Sequence, residues 1–190
     1  MAAPSLIYLH GFCSSPASWK ARRLADYLTA IGLGDRFACP TLSPVPMEAI
    51  ASAEALLARA DGEVTLVGSS LGGYYASWLA EKHGLRAVLV NPAVQAPGLL
   101  SGLLGRHVNF HGGEAFDFTP AHVEQLRALA TPEITPERYF LLVETGDEVL
   151  DYRQAVARYA GCRQIVLEGG DHSFTRFPDL IPQIVEFCGL

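Results

Sequence analysis

The feature that most constrains this chain is a regular alternation. Short runs rich in Val, Ile, Leu and aromatics are separated by longer stretches whose apolar positions recur at helical spacing. Strands met one at a time between helices cannot pair as hairpins. They lie parallel, because a parallel neighbour is reached only through a crossover, and helices then cover both faces of the sheet. The fold expected is α/β, with about six mostly parallel strands over residues 6–10, 36–40, 64–67, 87–90, 139–144 and 164–167. The helices expected between and after them cover 16–31, 44–60, 71–83, 119–130, 152–160 and 179–187. Ser14 and Ser15 offer an N-cap for the first, with Pro16 at the first helical position, and Thr119-Pro120 repeats that logic. In the second helix Met47, Ile50, Leu56 and Leu57 are expected to face the core. Residues 92–118 break the rhythm, being Gly- and Pro-rich and poorly periodic, and they read either as a small lid or as a long crossover. No repeat, low-complexity tract or linker divides the chain, so 1–190 is expected to form one domain.

Composition removes several classes of partner. A formal net charge of -6, with only 14 Lys and Arg, argues against a polyanion-binding surface. The densest basic group, Lys20, Arg22 and Arg23, sits at helical spacing and reads as a solvated helix face. The start of the chain lacks the basic, apolar and small-residue segments of a secretory signal. The most apolar region, 87–104, is interrupted by Asn91, Pro92, Pro97 and Gly98, so no membrane partner is expected. Four cysteines without a CxxC pair read as reduced thiols of a cytoplasmic protein. There is no GxxxxGK[ST] loop, GxGxxG fingerprint, HExxH pair or Cys/His group at metal spacing, so neither cofactor nor metal is implied.

What carries chemistry is Gly68-Ser69-Ser70-Leu71-Gly72-Gly73, a G-x-S-x-G motif placed between a strand and a helix. In that setting the turn holds Ser70 in strained backbone geometry above the helix N-terminus, and only small residues fit two before and two after it. Gly68 and Gly72 meet that need, and Gly73 allows close helix–strand packing. A serine hydroxyl is a weak nucleophile until a base takes its proton. His172, in a loop leaving the last strand, is the histidine placed for that. A carboxylate should orient the imidazole, and Asp147 follows the strand over 139–144, with Glu148, Asp151 and Asp117 as rivals. An oxyanion would be held by the backbone N–H groups of Leu71 and of Phe12, the latter in the loop after the first strand, where Gly11 permits an unusual turn. His10 reads as a structural hydrogen-bonding residue, and Cys13 as core or pocket lining because no elbow surrounds it.

The order Ser70, Asp147, His172 is that of α/β-hydrolases. The chain resembles the YqiA-type small bacterial esterases within that superfamily. The resemblance is carried by Tyr8-Leu-His-Gly-Phe12 with Ser14-Ser-Pro16, Val67-Gly-Ser-Ser-Leu-Gly-Gly-Tyr-Tyr-Ala76 and Val90-Asn-Pro-Ala-Val94. Gln125-Leu126, Thr145-Gly-Asp-Glu-Val-Leu-Asp-Tyr-Arg-Gln-Ala155 and Glu168-Gly-Gly-Asp-His172 continue it, in order along nearly the whole chain. It implies a compact α/β-hydrolase fold with minimal or no lid, and a cytoplasmic serine esterase using the same three residues. Its expected partner is a small acyl ester or acyl-CoA thioester. Two alternatives stay open: a thioesterase or other acyl hydrolase with the same triad, and a binding protein that keeps the fold without catalysis.

Overall fold

A computed structural model describes residues 5–113 and 115–190. Of the opening stretch read for a targeting signal, residues 1–4 lie outside these, as does Glu114 in the irregular segment. The chain runs β1 (Leu6–Leu9), α1 (Trp19–Ala30), β2 (Phe37–Ala38), α2 (Pro46–Leu57), β3 (Thr65–Ser69), α3 (Leu71–His83) and β4 (Arg86–Val90). It continues with α4 (Ala96–Ser101), β5 (Gly105–His107), β6 (Phe116–Phe118), α5 (Pro120–Ala128), β7 (Tyr139–Glu144), α6 (Tyr152–Arg158), β8 (Arg163–Leu167) and α7 (Phe177–Cys188).

Six strands form one parallel sheet in the order β2-β1-β3-β4-β7-β8. The central strands are buried on both sides, and each distributes its residues between two cores by the alternation of a pleated strand. Ile7, Leu9, Leu66, Leu89, Leu141 and Val143 pack with α2, α3, α5 and α6 on one face. Leu6, Tyr8, Val67, Val88, Phe140 and Leu142 pack with α1 and α7 on the other. The chain leaves β1 toward β2 on one side and returns to β3 on the other. A crevice therefore opens beyond the carboxyl ends of β1 and β3, where such sheets receive ligands.

Two local expectations are corrected. The first helix starts at Trp19 rather than at Pro16, because Ser15 Oγ accepts the Ala17 amide and this stretch turns instead of coiling. Met47 is 46% exposed, since α2 buries the stripe Pro46, Ala49, Ile50 and Ala53. The irregular segment carries α4 and an antiparallel β5–β6 hairpin. The hairpin is fastened by the Phe12 ring, which meets His107, Phe116 and Phe118 edge-on at centroid distances of 5.1, 5.9 and 5.2 Å. The Phe110 amide adds a 2.8 Å bond to the Cys13 carbonyl.

Candidate active site

Ser70 lies between β3 and α3 with φ 55 and ψ -120, a conformation that costs energy for any residue with a Cβ. Its neighbours hold it there. Its amide donates to the Val90 carbonyl at 3.1 Å, and its carbonyl accepts from Gly73 and Ala93 at 2.9 and 3.0 Å. The glycines answer to space. A Cβ on Gly68 would stand 2.6 Å from the Gly72 carbonyl carbon, and one on Gly72 would stand 2.5 Å from the Leu9 carbonyl carbon. Gly11 is likewise a close approach, 3.2 Å from the Ser70 Cβ to a built Cβ, and the left-handed turn of this loop falls on Cys13, φ 53, instead. Cys13 is buried and its thiol pKa is raised by burial, which disfavours thiolate.

His172 comes to this serine from the loop after β8. Its Nε2 is 3.2 Å from Ser70 Oγ, and its Nδ1 is 2.8 and 3.0 Å from the two oxygens of Asp147. A carboxylate can only accept, so Nδ1 carries the proton and Nε2 of the neutral ring is left to accept from the serine hydroxyl. The Asp147 side chain is 2% exposed. Burial pushes its pKa up, but the His172 bond and the amides of Leu150 and Val149 outweigh this and leave it below the ordinary value. Arranged so, His172 can take the serine proton and the resulting imidazolium faces an anion. Asp147 is more ionised in the folded state than in the unfolded one just below pH 4. Its stabilisation is therefore complete above that range and is lost as pH falls through the depressed folded value. The rise in urea midpoint from pH 3 to pH 5 is expected to be smaller in Asp147→Asn than in the parent.

The rival acids do other work. Glu148 accepts the backbone amide of His172 at 2.9 Å. Asp151 caps α6 through the Arg153 amide, and Asp117 is exposed on β6. His10 is buried: Leu42 donates to its Nε2 at 3.1 Å, which leaves Nδ1 to donate to the Gly11 carbonyl at 3.1 Å. Burial, the largest influence on it, lowers its pKa and so favours this neutral tautomer. Phe12 and Leu71 line one cavity of about 680 Å³ with Ser70 and His172. Leu71 opens α3, so its N–H is among the amides with no acceptor inside the helix.

Two supporting residues escaped the sequence reading. Glu144, fully buried at the end of β7, accepts from Arg176 Nε at 2.6 Å and from the Asp171 amide at 2.7 Å. Asn91, φ 40, donates to the Asp171 and His172 carbonyls at 3.2 and 3.4 Å and accepts the Glu144 amide at 3.1 Å. Together they hold the histidine loop to β4 and β7. Gly170, φ 76, crosses this carboxylate so closely that a Cβ would stand 2.7 Å from Glu144 Oε1. The signal available was a carboxylate closing an otherwise wholly apolar strand, a place where charge survives only with partners. Asp171 stabilises the same turn by accepting the Phe174 amide at 2.9 Å. Among the described residues no group of three or more His, Cys, Asp or Glu is gathered as a metal site. No helix among them is long and apolar enough to cross a membrane.

A family model described as an uncharacterised protein family, UPF0227, matches residues 5–189. Solved structures align over nearly the whole chain. The alpha/beta hydrolase domain-containing protein 10 from mouse matches with TM-score 0.73 and 17% identity, covering 98% of this chain and 90% of that one. The esterase domain of a Rhodothermus marinus protein matches at 0.67 and 16%, covering 98% and 87%. The Paleococcus ferrophilus monoacylglycerol lipase matches at 0.64 and 14%, covering 99% and 96%. At these identities the likeness establishes the fold, which is that of the α/β-hydrolases.

Proposed function

The chain belongs to the UPF0227 family, that of the YqiA-type proteins, and from that premise we propose that it is a serine esterase acting on carboxylic esters. The observation that carries this is the continuous hydrogen-bond path from Ser70 Oγ through His172 to the buried Asp147. Ser70 attacks the ester carbonyl while His172 Nε2 takes its proton, and Asp147 holds the ring and balances the imidazolium. The N–H groups of Phe12 and Leu71 receive the negative charge that grows on the carbonyl oxygen. His172 then protonates the departing alcohol. Water, deprotonated by the same ring, releases the acid from Ser70. Thiols leave by the same steps, so acyl-CoA thioesters are a second substrate class. The names of the structural neighbours, an esterase domain and a lipase among them, support acyl-ester chemistry. A fluorophosphonate probe should label the parent protein at Ser70 and leave Ser70→Ala unlabelled. An unlabelled parent would overturn the esterase reading in favour of a non-catalytic binding role, and equal labelling of the two would overturn Ser70 as the nucleophile. Steady-state rates on matched oxygen esters and thioesters then rank the two substrate classes.

A further inference from the structure

The cavity that holds Ser70 is lined by apolar residues such as Leu99, Leu103 and Phe110, and also by Ser18 and Lys20 from the start of α1. A pocket made only for hydrocarbon would gain nothing from an ammonium group in its wall. Lys20 Nζ spends one of its three donors on the Ser173 carbonyl, at 2.8 Å. It makes no salt bridge among the described residues. The acids around it are engaged elsewhere: Asp147 with His172, Glu144 with Arg176, and Asp171 with the Phe174 amide.

We propose that Lys20 makes part of this cavity a carboxylate subsite: its ammonium binds an anionic group on the substrate, and the enzyme prefers esters bearing a carboxylate to neutral esters of the same length. The proposal rests on the esterase reading and deepens it. Lys20 is the charged partner, with two donors left after its bond to the Ser173 carbonyl. Burial lowers the Lys20 pKa to about 8, against the opposing pull of Asp171, Asp147 and Glu144. The ammonium is therefore mostly present at neutral pH and is lost as pH rises through about 8.

Two ester pairs test this. Monomethyl adipate against methyl hexanoate places the carboxylate on the acyl side, and carboxymethyl hexanoate against ethyl hexanoate places it on the alcohol side. In at least one pair kcat/KM should favour the anionic ester. Lys20→Met should cut that anionic-to-neutral ratio about 10- to 100-fold, the size expected for a charge-assisted hydrogen bond. The ratio cancels His172, which serves both esters, and should fall above about pH 8. Calorimetry gives a reading independent of turnover: Ser70→Ala should bind adipate, and Ser70→Ala/Lys20→Met should not. If Lys20→Met slows both esters equally, Lys20 serves only the Ser173 carbonyl and the subsite is overturned. A protein that takes the fluorophosphonate and cleaves neutral esters, but has no anionic preference and binds no adipate, also overturns it. A protein that neither labels nor cleaves either ester overturns the esterase reading itself, and the substrate preference falls with it.

Discussion

Ser70→Ala is expected to lower kcat on a simple carboxylic ester by about 10⁴- to 10⁶-fold, and adding His172→Ala to it should lower kcat no further. The reason lies in the geometry. The hydroxyl 3.2 Å from His172 Nε2 is the group the ring would deprotonate, so without it the base has no proton to take. Groups that act as one unit lose their joint contribution at the first removal. What remains is owed to binding and to oxyanion donors, which neither substitution touches. Asp147→Asn belongs to the same series and should cost about 10⁴-fold. An amide can present its N–H to His172 Nδ1 and so favour the tautomer whose Nε2 proton points at Ser70. Glu148→Gln is the contrast. Its carboxylate meets the His172 backbone amide, and a glutamine oxygen still accepts from an amide, so less than about a tenfold loss is expected. Steady-state kinetics on one ester decides. Near-parental turnover in Asp147→Asn would sink the assignment of the acid, and a strictly additive Ser70/His172 pair would sink the idea of a single unit.

Gly72→Ala should be the most damaging single methyl that can be added near the site. The new Cβ would stand 2.5 Å from the Leu9 carbonyl carbon and 2.7 Å from the His10 oxygen, both rigid backbone where β1 passes under α3. Either the helix lifts from the sheet or the end of β1 is pushed away. Overpacking of a tight core costs about 1–3 kcal/mol, and backbone on both sides puts this case at or beyond the upper end. A loss of about 3 kcal/mol corresponds to roughly 6–12 °C in Tm for a chain of this size. Gly98→Ala is the matched control. It lies inside α4 with nothing within 4 Å of its built Cβ, so it should be neutral or slightly stabilising. Thermal unfolding followed by circular dichroism measures both. A parental Tm in Gly72→Ala would show that the close approach is not what the glycine is for.

These contacts also indicate which parts of the molecule were legible beforehand. α3 was found at both ends because its limits are local: the elbow begins it and Gly84, φ 69, ends it after His83. α5 obeyed the same local chemistry, with Thr119 at its N-cap and the Thr119 amide donating to His122 Nδ1. Ser14-Ser15-Pro16 carried an equally good helix-start pattern, but its loop carries Phe12 beside Ser70 and anchors the β5–β6 hairpin. Tertiary demands decided there. Residues 92–118 were illegible because the hairpin depends on Phe12, a partner some hundred residues earlier, and not on any period within the segment. At the site, Ser70, His172 and Asp147 could be ranked because each follows a strand. Glu144 was not, because an acid closing an apolar strand signals only that it needs partners and not that Arg176 and the Asp171 amide supply them.

The hydrogen bond between Ser70 and His172 spans 102 positions in the chain, and two strands, β4 and β7, stand between β3 and β8 in the sheet. Ser70 and His172 can therefore meet only in a chain whose β8 has docked at the far edge of the sheet. During synthesis the elbow emerges early, yet a chain that has not paired β8 holds a serine with no base. On the proposed esterase reading, hydrolytic competence is then a property of the finished fold alone. In refolding, recovered activity should trail burial of the β1–β3–β4 core, because contacts between residues so distant are slow to close.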